Sequence, residues 1–337
     1  LAKKVTSILK YLAGLIIAVS LLYFLFRDWD MKDMISRFKN VRYSWVFLSI
    51  FLSIISHILR AYRWNLMLKP LGYKNLRTYR TFMAVMIGYL ANLVAPRLGE
   101  LTRCGVLKRV DNVNMSASIG SVVAERIFDF LGLLTIVFTG LALEFDRLSS
   151  FFIDFFNERS DKIDLTHERF FALVLVGLIL AILAYSLWWY WERIKRKPFY
   201  FKLRSFFREM SDGLTSIKKL ENRRGFWLST IFIWLLYYLM AYVIFFATES
   251  TENLGLMAGL SILIMGGLGM SAPVQGGFGT YHFLVSAVLL TYGVSEKDGL
   301  FFATLVHTSQ TLSVMFFGGL SFILTLPYRH RNKEIKE

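Results

Sequence analysis

The stretch NLVAPRLGELTR at residues 92–103 sets Arg97, Glu100 and Arg103 at three-residue spacing directly after an apolar run. VVAERIFDF sets Glu125, Arg126 and Asp129 inside another. Guanidinium groups present forked donors that suit phosphate or carboxylate oxygens. A carboxylate three residues from each of two arginines orients either of them or serves as a proton-linked switch. Glu125 and Asp129 are four apart and share one face of a helix. Charges inside apolar segments face protein or water, because exposing them to acyl chains is costly. Two uses follow for this second set: an internal ion pair that holds helices together, or the lining of a polar translocation cavity. For Arg97 and Arg103 the alternatives are contact with an anionic headgroup and an interfacial position paired with Glu100.

Other polar residues carry weaker signals. His57, Arg60 and Arg63 recur every three residues and suit either a headgroup-facing ladder or arginines that snorkel to the interface. Asn92, Ser271 and Gln275 can satisfy backbone groups of broken helices or touch substrate. His282 follows a glycine-rich turn, and His307 and Gln310 share a helix face. No HExxH or close ligand cluster is present, so no metal site, cofactor or catalytic residue is assigned. The single cysteine, Cys104, excludes a disulfide framework and an all-cysteine metal site and is expected to be a small packing residue.

The elements that must position these residues are membrane helices. The chain of 337 residues is 55% hydrophobic, 16% aromatic and 19% charged, with a mean hydropathy of +0.48, values that favour a multi-spanning membrane protein. Apolar segments suited to a roughly 30 Å hydrocarbon core run over Ile8–Phe26, Trp45–Leu59, Ala117–Leu143, Phe171–Trp191, Phe226–Ala247 and Leu300–Leu326. The second extends to Tyr62 if Arg60 snorkels. The first lacks a small-residue cleavage site and is expected to be retained. A net charge of +15 does not point to nucleic acid, because the basic residues lie between and beyond apolar spans. Residues 192–224 hold 11 Lys/Arg against 4 Asp/Glu, and residues 60–80 hold six basic residues and no acidic one. This is the pattern of loops beside an anionic cytoplasmic leaflet.

Charge bookkeeping decides the path of the opening stretch. With both termini cytoplasmic, an ordinary span at Thr81–Ala95 would put the acidic 144–169 loop inside and the basic 192–224 segment outside, against the charge rule. A chain that descends to Pro96, turns and returns through about Leu107 reverses both. A second such hairpin, Leu254–Ser271 and Phe278–Tyr292 around Pro273, leaves the last span to end with Arg329, Arg331, Lys333 and Lys336 inside. The conflict that remains is the 27–42 loop, net +2 yet assigned outside.

The expected fold is therefore an all-α polytopic membrane protein of six full transmembrane helices plus two oppositely oriented re-entrant hairpins. Residues 1–147 and 168–328 would form the halves of an inverted repeat, with a basic cytoplasmic linker at 192–225 that carries an interfacial helix from Lys195 to Leu220. LVAPRLGE and MSAPVQGG are the hairpin cores, where Pro96 and Pro273 stop helices and Gly99, Gly276, Gly277 and Gly279 permit close turns. Helices that restart inside the bilayer present free amides and a positive dipole end to a phosphate.

HILRAYRW at 57–64, NLVAPRLGELTR at 92–103, AERIFD at 124–129 and APVQGGFG at 272–279 together resemble the lysylphosphatidylglycerol synthase transmembrane-region family, the flippase-like domain of bacterial multiple peptide resistance factors. By that resemblance Pro96, Arg97, Gly99, Glu100 and Arg103 match one motif, Glu125, Arg126 and Asp129 a second, and Pro273, Gly276, Gly277 and Gly279 a third. The chain departs from the pattern at Gln275 and His282, where family members often carry a proline and an acidic residue. Only Tyr328–Glu337 follow the last span, so the soluble aminoacyl-transferase domain is not expected in this chain. The resemblance implies a multi-pass protein of the bacterial cytoplasmic (inner) membrane that translocates an anionic or lipid-linked substrate. The alternatives are an integral-membrane enzyme acting on a polyprenyl or phospholipid phosphate, through His282, Glu100 or Asp129, and a non-transporting partner of a lipid-processing glycosyltransferase.

Overall fold

The computed structural model describes residues 19–27, 31–144, 220–272 and 274–328, and the regular structure in them is helical. The helices are α1 (Met31–Lys39), α2 (Tyr43–Leu68), α3 (Thr78–Val94), α4 (Leu98–Asp111), α5 (Met115–Leu143), α6 (Arg223–Val243), α7 (Leu256–Ser271), α8 (Thr280–Leu290) and α9 (Glu296–Thr325). Four segments among the described residues are long and apolar enough to cross a membrane: Tyr43–Leu71, Met115–Leu143, Arg223–Ala247 and Glu296–Thr325. They coincide with four of the six expected spans. Residues 19–26, the end of the first expected span, are helical. The rest of that span, Phe171–Trp191, residues 192–219 of the linker and Pro273 lie outside the described residues.

Local chemistry sets the helix ends. Ala95 precedes Pro96 and is extended at φ −148° and ψ 134°, the conformation a following proline enforces, so α3 stops there. Asn112 closes α4 in the left-handed region. Side chains of Asn114, Asn222 and Ser295 accept amide hydrogens at the starts of α5, α6 and α9. The arms α3 and α4 are short and packed together, as are α7 and α8.

Contacts at the helix ends define two ends of the bundle. At one, Arg80 pairs with Asp111 at 2.6 Å, Arg109 donates to the Leu326 carbonyl and Lys74 lies 3.9 Å from Glu221. At the other, Arg37 pairs with Asp298 and Arg42 with Glu252, and Tyr292 donates to Glu144. The α3/α4 pair opens at the first end and the α7/α8 pair at the second. Between them the turn of the second pair meets α3, where a Cβ added to Gly276 would lie 3.2 Å from Leu93.

Each pair has its own core. Trp64, Leu68, Ala84, Val85, Cys104, Leu107 and Val122 pack around α3 and α4, while Ile262, Met265, Val285, Val288, Phe301 and Phe302 pack around α7 and α8. Cys104 is buried, as expected of a packing residue. The long helices turn Phe47, Phe51, Phe130, Phe138, Ile231, Phe232, Phe316 and Ile323 outward. In water so much exposed apolar surface would drive aggregation, whereas acyl chains are its natural solvent.

Candidate functional site

The charged residues of α2, α4 and α5 converge. Glu125, fully buried on α5, faces three arginines: Arg60 Nε at 2.9 Å, Arg63 Nη2 at 3.4 Å and Arg103 Nη2 at 2.9 Å. Asp129, one turn further along the same face, takes Arg60 and, at 2.6 Å, Arg63. The remaining Arg60 donor bonds the hydroxyls of Tyr89 at 3.0 Å and Tyr237 at 2.9 Å. Arg63 also reaches Thr230. Arg103 lies over the Trp64 ring, 4.7 Å from its centroid, and Trp64 in turn donates to Ser121 at 2.8 Å. Arg126 lies 3.6 Å from Glu100 and, through another nitrogen, 4.0 Å from Asp129.

Among the described residues four arginines (Arg60, Arg63, Arg103, Arg126) thus meet three carboxylates (Glu100, Glu125, Asp129), a surplus of one positive charge. Burying charge is tolerated only when every ion is paired and hydrogen-bonded. The pairs of Glu125 with Arg60, Arg63 and Arg103 and of Asp129 with Arg63, at 2.6 to 3.4 Å, are closer than the Arg126–Glu100 pair at 3.6 Å. An anion that completes the balance is the ligand such a site accepts best.

The helix sequences place these groups by simple spacing. Arg60, Arg63 and Trp64 follow a three–four pattern on one face of α2, and Glu125 and Asp129 follow a four-residue step on α5, so two charged stripes of opposite sign lie against one another. Arg103 comes from α4, whose close approach to α3 depends on Gly99. A Cβ there would overlap the Gly88 carbonyl and sit 2.7 Å from the Asn92 amide. Asn92 Oδ1 accepts the Gly99 amide at 2.7 Å and so satisfies one of the free N–H groups at the start of α4.

Several sequence expectations change here. Arg60 and Arg63 do not snorkel: they are 6% and 0% exposed and turn into the bundle, and α2 runs on to Leu68 because their charge is met inside. Arg103 pairs with Glu125 and Glu100 with Arg126, so neither arginine of the opening motif holds Glu100. Gly99 does not make the turn; it is helical, and Arg97 itself takes the left-handed conformation at φ 64°. Arg97 is exposed and has no ion pair among the described residues. His57 lies beside the network, 3.3 Å from Ser53 and with its ring 4.8 Å from that of Tyr89.

The second-half candidates gather elsewhere. His282 and His307 are buried with ring centroids 4.8 Å apart, and Phe278 and Tyr281 pack on His307. His307 Nε2 meets the Gly276 carbonyl at 2.8 Å, and Thr280 bonds the Gly269 and Gly277 carbonyls. Gly276, Gly277 and Gly279 all have positive φ, as a glycine-built turn requires. Gln275 is buried within that turn. Gln310 links α9 to α2 through Ser49 at 3.2 Å instead. Ser271 bonds a carbonyl of its own helix.

Tyr89, Tyr237, Thr230, Trp64 and Ser121 escaped the sequence reading. An aromatic or hydroxyl residue in an apolar span gives no signal of its own; only the RxxRW spacing at 60–64 hinted at Trp64. Among the described residues no group of three potential metal ligands converges.

Comparison with known proteins places the chain in a family. Residues 11–318 match the family described as the lysylphosphatidylglycerol synthase TM region. The glycosyltransferase AglD of Haloferax volcanii is 30% identical over 143 residues, which cover 41% of this chain and 23% of that protein. The UPF0104 membrane protein MJ1078 of Methanocaldococcus jannaschii is 22% identical over 241 residues, covering 70% of this chain and 94% of that relative. No solved structure gives a significant match. Both the motif residues and the helices that carry them fall inside the matched span, and the chain belongs to the lysylphosphatidylglycerol synthase transmembrane-region family.

Proposed function

We propose that the protein is a lipid flippase that carries a phosphate-bearing phospholipid or lipid-linked headgroup across the cytoplasmic membrane. The observation that carries this reading is the buried arginine–carboxylate group, where Arg103 of a short helical pair meets Glu125 of a full span at 2.9 Å. Fixed arginines and one carboxylate too few make a site for an anionic headgroup, while acyl chains stay in lipid. Membership of the family supports a lipid-transport role.

In this reading α3/α4 and α7/α8 are re-entrant hairpins of two inverted halves, and both termini lie in the cytoplasm. Three features support it. The pairs open at opposite ends: Arg80–Asp111 joins α3 to α4 at one, and Arg37–Asp298 ties α1 to α9 beside the end of α8 at the other. Their tips approach at Leu93 and Gly276. The 27–42 loop, too basic for an external loop by count, has Arg37 and Arg42 neutralised by Asp298 and Glu252. Movement of the first hairpin would break Arg103–Glu125 and open the site to one side; movement of the second would open it to the other. Arg97, at the exposed start of α4, meets the headgroup first.

For an enzyme acting on lipid phosphate, Asp129 is held by Arg60 and Arg63, Glu100 lies 3.6 Å from Arg126, and His282 is buried with its ring against that of His307, which does not favour a free base facing a phosphate. A second reading, a membrane partner of a lipid-processing glycosyltransferase, draws on the 143-residue likeness to AglD. Purified protein in vesicles that contain fluorescent phosphatidylglycerol or a polyprenyl phosphate separates these. Leaflet transfer faster than in protein-free vesicles supports translocation, whereas chemical turnover without transfer contradicts it.

A further inference from the structure

Beside the buried network lies a cleft of about 460 Å³ between α4 and α5. Among the described residues, Leu101, Ile119, Val122, Val123, Ile127 and Phe130 form its apolar walls, and Glu100 and Arg126 its charged lining. Leu101 and Phe130 are 53% and 58% exposed, so its lips face the surroundings of the bundle. At 3.6 Å the Glu100–Arg126 pair is longer than the 2.7–2.9 Å of a charge-assisted hydrogen bond. Arg126 Nε and Glu100 Oε2 are shielded, yet each lacks a hydrogen-bond partner. A second Arg126 nitrogen is 4.0 Å from Asp129. The cleft therefore has a greasy wall, an under-used cation and a carboxylate that only partly occupies it.

We propose that this cleft is a lateral docking site for one anionic membrane lipid: its phosphate takes Arg126 from Glu100, and its hydrocarbon chain lies along Ile119, Val123, Ile127 and Phe130. Three observations select that occupant. The surplus positive charge of the linked arginine group calls for an anion. Arg126 Nε, shielded and without a hydrogen-bond partner among the described residues, fits a phosphate oxygen. The rest of the described lining is apolar and lies on helices whose outer faces suit lipid, so the anion must arrive attached to a chain. Glu100 acts as a stand-in anion that holds Arg126 in place until the lipid arrives. The inference rests on the lipid-translocation reading and adds to it an entrance, formed by the return arm of the first hairpin and the span after it.

The test is photo-cross-linking in vesicles of phosphatidylcholine that contain phosphatidylglycerol with a diazirine near the middle of one acyl chain, the adducts being mapped by mass spectrometry. Adducts are expected to concentrate on Ile119, Val123, Ile127 and Phe130. Arg126→Gln should lower them roughly tenfold, and Glu100→Gln should raise them about two- to fivefold by removing the competing anion. Val123→Trp, which fills the cleft and leaves both charges, should lower them as well, and the same probe on phosphatidylcholine should label the cleft weakly. Adducts spread evenly over the outer faces of α2, α6 and α9, or cleft adducts indifferent to Arg126→Gln, overturn the proposal. No leaflet transfer is measured, so a labelled cleft in a protein that moves no lipid sinks the flippase reading alone, and transfer with an unlabelled cleft sinks this one alone.

Discussion

Arg60 and Glu125, 65 residues apart in the chain, meet at 2.9 Å in the interior of the bundle, and the other oxygen of the same carboxylate faces Arg103 at 2.9 Å. A single carboxylate thus ties α2 to α5 and both to α4. Removing one partner of a buried ion group leaves uncompensated charge, at a cost of about 3–5 kcal/mol. Glu125→Gln should therefore lower the thermal midpoint in detergent sharply, while Glu252→Gln, at a partly exposed pair, should change stability by less than about 1 kcal/mol. Equal effects at the two positions would show that the buried group does not hold the helices.

Arg103 is held from two sides, by Glu125 and by the face of Trp64. Lysine keeps the charge but not the planar stacking. A double-mutant cycle of Arg103→Lys and Trp64→Leu should give a coupling of about 0.5–2 kcal/mol in unfolding free energy. Strict additivity would show that the ring contact contributes nothing.

The approach of α4 to α3 rests on Gly99. An added methyl group there meets the Gly88 backbone, so Gly99→Ala must push the hairpin arms apart, and overpacking of this kind costs about 1–3 kcal/mol. Gly105, six residues on in the same helix, has open space around its Cβ position; alanine there should be neutral or stabilise by up to about 1 kcal/mol through helix propensity. Melting curves of the two variants, run side by side, decide the matter.

Arg97 occupies a left-handed conformation that costs a side-chain-bearing residue roughly 1–2 kcal/mol. Arg97→Gly should relieve that strain and raise stability by about 1 kcal/mol while it slows lipid transfer several-fold. A stabilised variant with unchanged transfer would show that the strained arginine does not touch the lipid.

The long spans were legible because an apolar run of about twenty residues has few other uses, and α2, α5, α6 and α9 coincide with them. The breaks between α3 and α4 and between α7 and α8 were legible from Pro96 and from the glycines at 276–279. What spacing could not supply was the partner of each charge. Arg60 and Arg63 looked interfacial because hydropathy counts them as a span end, yet opposite charges on α5 draw them inward. Glu100 looked tied to its neighbours at 97 and 103, but three residues along a helix only brings side chains near, and Arg126 from the next helix competes better. Nor did sequence show that Arg97, not Gly99, takes the left-handed turn. A reader of the sequence assumes that glycine goes where strain is greatest, whereas here glycine is spent on helix contact.

The most direct measurement of lipid translocation is the access of an aqueous quencher to fluorescent phosphatidylglycerol in vesicles that hold the purified protein, compared with Arg97→Gln and Asp129→Asn variants of matched incorporation. The native protein should expose the inner-leaflet probe well beyond protein-free vesicles, and both variants should slow that exposure at least several-fold. Exposure no faster than in protein-free vesicles, or equal in all three proteins, would contradict the assignment of Arg97 and of the arginine–carboxylate group at Asp129 to lipid movement.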